Sequence, residues 1–376
     1  MNPFELSNEQ TMYQDSLRKL LETEAPFAKR LTRIANKQYI DNTLWATISN
    51  LGVCSVLVDE QHGGLGGSVA DCAAIMEQVG ASLCLEPILL CSLANAIVND
   101  YGSVHAKTHL LPSALQGNVR IVPAIWNDQG PISLDTAHRS IQATHDKNGY
   151  RLHGTWIEIE ALSHATHVIV KAICDSTHRA IYAICPVDQV KSTHYTRIDD
   201  KTLSDITLTN VHIANDFILH IDHDTLLEDA LLPLLTACLT AEALGIMTYM
   251  NEATRAYTKQ REQFGRPIST FQALQHRMVE MFLQEEQARS LRFALPHAID
   301  QRQKISSEQL QTLTKQTLML IEAYAKCIGE ETVQLHGAMG VSDELDISHY
   351  FRRLTCIRVH MHALSMRSRQ QALTSR

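Results

Sequence analysis

A chain of 376 residues, 45% of them apolar and 20% charged, carries a formal net charge of -8 at pH 7. This length is too great for one ordinary hydrophobic core, so two or three domains are expected. The balance of apolar and charged residues excludes a mainly disordered or fibrous protein. No block of five or more like charges occurs, which argues against nucleic acid or a membrane surface as a partner.

Cysteine and histidine are numerous but scattered. The nine cysteines include no C-x-x-C pair, which predicts reduced thiols in a cytoplasmic protein rather than a disulfide framework. The 19 histidines lack partners at metal-ligand spacing, so no metal site is expected. The most apolar stretch, Leu226–Met247, contains Glu228, Asp229, Pro233 and Glu242, and a transmembrane helix is therefore not expected.

The first part of the chain, from Glu9 to about Gly117, has helical periodicity. In Asp71–Val79 the apolar residues recur at spacings of three and four, which predicts amphipathic helices with a buried face. The run Gly63–Gly67 interrupts this pattern. Because no strand precedes it and no Lys-Ser/Thr follows, it predicts a turn between helices rather than a phosphate-binding loop.

From about Val119 to Asn215 the periodicity changes to two, which is typical of strands. The predicted strands are Arg120–Trp126, Ser140–His145, Tyr150–Ile159, His167–Ile173, Ala180–Pro186 and Ile206–Ile213. The segment Asp146–Gly149 lies between two of them and contains Asn-Gly, a strong hairpin signal. This run of short strands predicts a compact, mostly antiparallel sheet.

The last part of the chain is predicted to form long helices at about 225–261, 270–302, 306–336 and 347–370. Asp224 and Thr225 are expected to cap the first helix, and Ser306 or Ser307 the third, with Glu308 just behind. Long helices joined by short turns predict an antiparallel four-helix bundle. The predicted fold is therefore α+β, with an N-terminal α-helical domain (1–118), a middle β-domain (119–222) and a C-terminal helical bundle domain (223–376).

Three stretches carry specific motifs. Arg261–Ile268 reads REQFGRPI and is followed by Phe271-Gln272, Gln334–Gly340 reads QLHGAMG and leads into Tyr350–Arg353, and Leu51–Gly66 ends in Gly-Gly-Leu-Gly. Together with the order helices, sheet, helices, they resemble the acyl-CoA dehydrogenase family of flavoenzymes over essentially the whole chain. Leu85–Pro87 and Asp343–Leu354 are most similar to its pimeloyl-CoA dehydrogenase small-subunit branch, which also resembles subunits of bacterial steroid side-chain dehydrogenases.

The resemblance implies a reaction and its cofactor. Members of the family dehydrogenate an acyl-CoA thioester between Cα and Cβ: a carboxylate takes the α-proton, and FAD accepts the β-hydrogen as hydride. The resemblance also implies an electron-transferring flavoprotein as the electron acceptor. Fatty, dicarboxylic and steroid side-chain thioesters all remain open as substrates.

In this family the Arg-x-x-Phe-Gly and Gln-x-x-Gly segments reach the FAD of a neighbouring subunit. Arg261 offers a fork of cationic donors for the pyrophosphate, and Phe264 offers an apolar wall for the adenine end. Glycines allow the backbone to approach a dinucleotide closely. The predicted FAD-binding residues are Arg261, Gln263, Phe264, Ile268, Gln272, Gln334, Leu335, Gly337 and Gly340.

The two positions that the resemblance gives for the catalytic glutamate hold Leu235 and Met361, and neither side chain can abstract a proton. Glu242 lies seven residues beyond Leu235 on the same helical face, with apolar or small neighbours along the helix. Because burial of a carboxylate among apolar groups raises its pKa, Glu242 is the predicted catalytic base. The alternative is that Glu242 pairs with a cation from another helix or points to solvent.

The segments at Ala124–Asp128 and Gly154–Glu158, where family members contact the flavin ring, depart from the family pattern. Trp126 and Trp156 can either stack on a ring or serve as core residues. The segments that would bind the FAD of a neighbouring subunit therefore match the family pattern better than the segments that would hold the chain's own flavin ring. This difference predicts a hetero-oligomer with a paralogous acyl-CoA dehydrogenase subunit. A non-catalytic partner that completes the FAD site of a catalytic paralogue, and an independent homotetramer, are the alternatives.

Overall fold

The computed structural model describes residues 5–126, 140–222 and 225–374, with side chains up to Ser368. The helices before the first strand are α1 (Asn8–Glu24), α2 (Phe27–Ala35), α3 (Asn42–Asn50), α4 (Val69–Ala81), α5 (Ile88–Tyr101), α6 (Val104–His109) and α7 (Leu111–Leu115). The later helices are α8 (Leu227–Ala230), α9 (Leu232–Gln260), α10 (Gln272–Asp300), α11 (Ser307–His336) and α12 (Asp346–Thr374). The predicted α+β fold, with helices before and after a central sheet, is confirmed.

The starts of two C-terminal helices differ from the sequence prediction. A short helix, α8, precedes α9, which begins at Leu232 rather than near residue 225. Pro233 suits this start because proline lacks the N–H that a helix interior needs but its first turn does not. Ser306, one of the two predicted caps, caps α11, and Gln309 completes a capping box with it. The predicted cap at Asp224 lies outside the described residues.

The central sheet is mostly antiparallel, as predicted. Its strands are β1 (Ile121–Ala124), β2 (Ile141–Asp146), β3 (Gly149–Glu160), β4 (His167–Cys174), β5 (Ala180–Pro186), β6 (Lys191–Thr196) and β7 (Thr202–Ala214). The strand order is β1-β4-β2-β3-β7-β6, and β5 pairs with β4. The only parallel pairings among the described strands are those of β1 and β2 with successive halves of β4.

Strand β6 escaped the sequence prediction because its side chains are mostly exposed and carry no alternating apolar pattern. Backbone pairing with β7, from Lys191 opposite Thr207 to Thr196 opposite Thr202, defines it instead. The predicted hairpin at Asp146–Gly149 is confirmed, although Asp146 and Gly149 pair and the turn itself is Lys147-Asn148.

The chain forms two compact units. One contains Met1–Leu31, Val69–Cys84 and Pro233–Arg376, and the other contains Thr32–Ser68 and Leu85–Leu232. Helices α1 and α4 thus belong with the C-terminal helices, whereas α3 and α5 to α7 belong with the sheet. The domain boundaries at residues 118 and 222 stay a prediction.

Within the helical unit, the long helices α10 and α11 run antiparallel. Arg277 pairs with Glu331, and the Tyr324 hydroxyl donates to Gln287 at 2.6 Å, which sets α10 against α11 in opposite directions. Helices α4 and α9 approach so closely that a Cβ on Gly80 would lie 2.0 Å from the carbonyl oxygen of Glu242. Only glycine fits there, and this close approach fixes where Glu242 lies.

Two further strands, β8 (Glu262–Gln263) and β9 (Arg266–Pro267), form a small hairpin after α9. By length and composition, α9 itself is the one helix among the described residues that would suit a membrane span, and 72% of its apolar window is buried inside the protein. The core helix of a soluble protein meets the same criterion, so this is weak evidence for a membrane.

Candidate functional site

Two of the motif stretches meet at one end of the helical unit. The ring of Tyr257, near the end of α9, stacks on His336, the last residue of α11, with ring centroids 4.5 Å apart. The Tyr257 hydroxyl also donates to the His336 carbonyl oxygen at 3.4 Å. Arg261 and Gly337 follow these two residues closely in sequence, so the contact brings both motifs to what we call the Tyr257–His336 end.

His336 is itself held firmly. Its ring is buried, and Nδ1 lies 2.8 Å from the Thr332 carbonyl oxygen, to which it donates. Burial lowers the pKa of His336 despite this hydrogen bond. A neutral ring on this tautomer suits a structural role, as the stacking partner of Tyr257.

The β8–β9 hairpin presents an aromatic side chain to solvent. Phe264 is 92% exposed and has a φ of 54°, and Gly265 follows with a φ of 75°. The guanidinium of Arg266 lies 4.3 Å from the ring centroid of Phe271, which fixes the base of the hairpin. Left-handed backbone is strained for a residue as bulky as Phe264. Because the ring is exposed, packing within this chain does not explain why Phe264 adopts that conformation.

The turn after α11 is open in a similar way. Gly337 has a φ of 62°, and a Cβ there would meet no described atom within 4 Å. Met339 and Val341 are 47% and 69% exposed. Gly340 differs, because its Cβ would lie 2.7 Å from the Val333 carbonyl oxygen, so close packing within the chain requires this glycine.

The predicted FAD-binding residues divide by exposure. Six are exposed around the Tyr257–His336 end and its hairpin: Arg261, Gln263, Phe264, Gln272, Gln334 and Gly337. Ile268 is half-buried, and the side chain of Leu335 is buried, so only its main chain is available to a ligand. A guanidinium, exposed amides, an aromatic face and open backbone together suit a phosphate-bearing nucleotide, and these residues therefore fit the adenine and pyrophosphate end of FAD.

Glu242 has a cationic partner that neighbours along its own helix did not reveal. Arg353 on α12 donates from Nε to Oε1 at 2.6 Å and from the guanidinium NH2 to Oε2 at 2.9 Å. Both side chains are buried, with 3% exposure for Glu242 and 8% for Arg353. Two charge-assisted hydrogen bonds favour the ionised carboxylate, so the geometry supports the alternative of an ion pair with another helix.

The other two positions considered for the base offer no acid. Leu235 is 1% exposed and Met361 is fully buried, and both are core residues of the helical unit. Arg353 belongs to one of the motif stretches, so its presence was visible in the sequence. Its pairing with Glu242, 111 residues away, was not.

The sheet unit holds a second buried ionic cluster that the sequence analysis missed. Glu228, 2% exposed, accepts from Lys171 Nζ and from the Tyr182 hydroxyl, each at 2.5 Å. Although burial alone would raise the pKa of Glu228, Lys171 and Tyr182 lower it. Burial, together with the carboxylate, raises the pKa of Tyr182 well above its ordinary value. This cluster joins residues far apart in sequence, which no local pattern indicates.

The two tryptophans have different surroundings in the sheet unit. Trp156 is 8% exposed and belongs to the hydrophobic core of the sheet. Trp126 is half-buried, and its indole N–H donates to the Glu228 carbonyl oxygen at 3.3 Å. Asn127 and Asp128 lie outside the described residues.

Two protein-family models match the chain. The acyl-CoA dehydrogenase N-terminal domain model matches residues 7–118, and the acyl-CoA dehydrogenase C-terminal domain model matches residues 232–360. The acyl-CoA dehydrogenase IpdE2 of Mycolicibacterium smegmatis is 27% identical to this chain over 354 residues, which cover 93% of each protein.

Solved structures share the fold. The ChsE4-ChsE5 complex from Mycobacterium tuberculosis has a TM-score of 0.85 at 19% identity, over 99% of this chain and 98% of that chain. A glutaryl-CoA dehydrogenase from Mycobacterium smegmatis in complex with FADH2 has a TM-score of 0.84 at 20% identity, over 99% and 96%. Because the two family models together match more than half of its length, the chain belongs to the acyl-CoA dehydrogenase family, which supports an oxidoreductase activity on acyl-CoA.

Proposed function

We propose that this chain is one subunit of a hetero-oligomeric acyl-CoA dehydrogenase that carries out FAD-dependent α,β-dehydrogenation of an acyl-CoA thioester. The observation that carries the proposal is the Tyr257–His336 contact, which gathers two motif segments at one end of the helical unit. When bound, FAD supplies the acceptor for the hydride that leaves the substrate.

The residues at this end have separate tasks in the proposal. Arg261 binds the pyrophosphate through its guanidinium, and Gln272 and Gln334 bind polar edges of the cofactor. Phe264 covers an apolar face of the adenine, which accounts for an aromatic ring that is 92% exposed in the single chain. Gly337 admits the ligand to the backbone because no described atom lies within 4 Å of its Cβ position.

The hetero-oligomeric form is supported by what the chain offers and what it lacks. The exposed FAD residues suit contact with a neighbouring subunit, while Leu235 and Met361 are buried apolar side chains. The ChsE4-ChsE5 structure, by its description, is a complex of two different chains. A paralogous acyl-CoA dehydrogenase subunit is therefore the proposed partner, an electron-transferring flavoprotein the proposed acceptor and the cytoplasm the proposed location.

The test is the FAD content of the complex after co-expression with a paralogous chain. Arg261→Ala and Gly337→Val are each expected to weaken FAD retention about tenfold or more, because a charged hydrogen-bond donor or the open backbone is lost. Arg302→Ala, at an exposed residue outside the site, is the control. Retention of FAD by both site variants at the level of the control would refute the proposal.

A second candidate function, a non-catalytic partner subunit, is favoured by the ion pair of Glu242 with Arg353. A base already held by two hydrogen bonds to a guanidinium is poorly placed to take a proton from a substrate. If Glu242 is the catalytic base, Glu242→Gln lowers turnover of the flavin-loaded complex by about 10²- to 10⁴-fold. If the chain is non-catalytic, turnover at equal FAD content stays at the wild-type level.

A further inference from the structure

Two of the nine cysteines meet inside the helical unit. Cys72 lies in the first turn of α4 and Cys238 lies on α9, and their Sγ atoms are 3.7 Å apart. Both side chains are buried, with 2% exposure for Cys72 and 0% for Cys238. A disulfide bond is about 2.0 Å long, so a small movement of the two side chains would bring the sulfurs to bonding distance. The proposed function gives neither thiol a task.

The backbones of α4 and α9 keep this pair together. A Cβ on Gly80 would lie 2.0 Å from the Glu242 carbonyl oxygen, and a Cβ on Gly245 would lie 1.9 Å from the Glu77 carbonyl oxygen. Two glycines thus place the helices in direct backbone contact. Because helices packed this closely cannot slide without breaking such contacts, the fold itself sets the distance between the two sulfurs.

The two thiols are protected while the helical unit is closed. The hydrogen bond with Cys72 and burial raise the pKa of Cys238, so Cys238 keeps its proton. A buried thiol reacts slowly because the thiolate is the nucleophile and because an oxidant has to reach it. Oxidation of this pair therefore requires a local opening of the helical unit.

The first turn of α4 is the element that opens most readily. Asp300, the last residue of α10, accepts at Oδ1 from the Val69 N–H at 2.8 Å and at Oδ2 from the Ala70 N–H at 3.1 Å. Both hydrogen bonds are exposed to solvent, and exposed helix ends open at a lower free energy than buried helix interiors. Fraying of this turn uncovers Cys72 without disturbing α9.

We propose that Cys72 and Cys238 form an oxidative modification site, which a small hydroperoxide reaches when the first turn of α4 frays. The Cys72 thiol loses its proton to water, and the thiolate attacks a peroxide oxygen. An S–O bond forms, the O–O bond breaks, and the departing oxygen takes up a proton and leaves as an alcohol or as water.

The second thiol completes the reaction. The Cys238 sulfur attacks the Cys72 sulfur, the S–S bond forms, the S–O bond breaks, and the hydroxide leaves as water with the Cys238 proton. The two sulfurs together lose two electrons, and the hydroperoxide gains them. Because a sulfenic acid beside a thiol condenses to a disulfide, the pair stops at this reversible state and is not oxidised to the sulfinic acid. The bond joins α4 to α9 one turn before Glu242.

The inference rests on neither FAD binding nor turnover, so it can fail while the proposed function stands. The purified full-length chain is reduced, freed of reductant and treated with hydrogen peroxide, then denatured in N-ethylmaleimide and digested for mass spectrometry. A peptide pair linked through Cys72 and Cys238 is expected, and dithiothreitol is expected to separate it. Cys72→Ala and Cys238→Ala each abolish this linked pair, whereas Cys327→Ala, at a half-buried thiol elsewhere, leaves it in place.

The rate of linkage tests the opening of α4. Asp300→Ala removes both hydrogen bonds to the first turn and is expected to speed disulfide formation by about 2- to 30-fold, as the loss of a helix cap makes opening more frequent. Asp41→Ala is the matched control, because it removes a carboxylate cap from α3 in the sheet unit, and it is expected to react at the wild-type rate.

Circular dichroism confirms that each variant is folded. Absence of the linked pair from the treated wild type would overturn the proposal without reference to any variant. A sulfinic acid at Cys72 with Cys238 unlinked would also overturn it, as would equal rates for Asp300→Ala and Asp41→Ala.

Discussion

The buried pair of Glu242 and Arg353 gives the sharpest test of how the helical unit is held together. Replacing Arg353 by Met keeps much of the side-chain volume but leaves the Glu242 carboxylate, 3% exposed, without its guanidinium. Breaking a buried pair by removing one partner costs about 3–5 kcal/mol, because a buried charge is left uncompensated. Solvent screening does not reduce this figure much, since Arg353 is only 8% exposed.

The expected effect is large enough to measure directly. For a unit of 150–250 residues, 1 kcal/mol shifts Tm by about 2–4 °C, so Arg353→Met is expected to lower Tm by about 6–20 °C. Thermal unfolding followed by far-UV circular dichroism reports the helices. The double variant Glu242→Leu/Arg353→Met removes both charges and is expected to be far less destabilised than Arg353→Met alone.

A matched control lies next to Arg353 in the sequence. Arg352 pairs with Asp343 at 3.0 Å, but the two side chains are 28% and 79% exposed. Because exposed pairs contribute about 0–1 kcal/mol, Arg352→Met is expected to change Tm by only a few degrees. Equal Tm values for Arg352→Met and Arg353→Met, or no recovery in the double variant, would refute the reasoning.

Three further predictions concern close packing, acid stability and the exposed ring. Gly80→Ala forces a Cβ to within 2.0 Å of the Glu242 carbonyl oxygen and is expected to cost about 1–3 kcal/mol in urea unfolding. The pKa of Glu228 is lowered in the fold, so its contribution to stability is complete above the ordinary glutamate pKa and is lost as pH falls through the lowered value. Glu228→Gln is therefore expected to make the stability of the protein depend less on pH in acid. Acid unfolding followed by tryptophan fluorescence measures this dependence. Phe264→Asn relieves a φ of 54° and is expected to keep or raise Tm while lowering FAD retention in the complex.

Each of these predictions has its own control. Gly329→Ala meets only side-chain atoms, the ring of Phe351 at 3.2 Å and Leu354 at 3.6 Å, and should cost less than Gly80→Ala; the reverse order contradicts the packing argument. Glu158→Gln, at an exposed residue of the sheet, is the control and should leave acid unfolding unchanged. If Glu228→Gln changes acid unfolding no more than Glu158→Gln does, the argument for Glu228 is refuted. A Phe264→Asn variant that retains FAD fully contradicts the proposed contact of the ring with the adenine.

Local patterns in the sequence were sufficient for most of the elements. The periodicity of two found β5 at its observed bounds, and the helical spacing found α10 and α11 to within a few residues. Strand β6 was missed because its exposed side chains carry no pattern, and only hydrogen bonding to β7 makes it a strand. The predicted start of α9 lies too early, because Pro233 suits the first turn of a helix and not its interior.

The candidate site was predictable in a similar, partial way. The motif residues Arg261 and Gly337 were visible in the sequence, and the structure adds the Tyr257–His336 contact that brings their segments together. The neighbours of Glu242 along its own helix indicated an apolar environment, but they describe only the side chains that α9 itself contributes. Its partner Arg353 comes from a helix more than a hundred residues later.

The sequence by itself determined the order of helices and strands and the motif residues, because periodicity and short-range spacing are properties of the local chain. The tertiary structure alone decided which charges are buried together. Glu242 meets Arg353, and Glu228 meets Lys171, only when distant elements pack side by side. The energy of a carboxylate depends on the atoms that surround it in space, and the linear order of residues does not contain that neighbourhood.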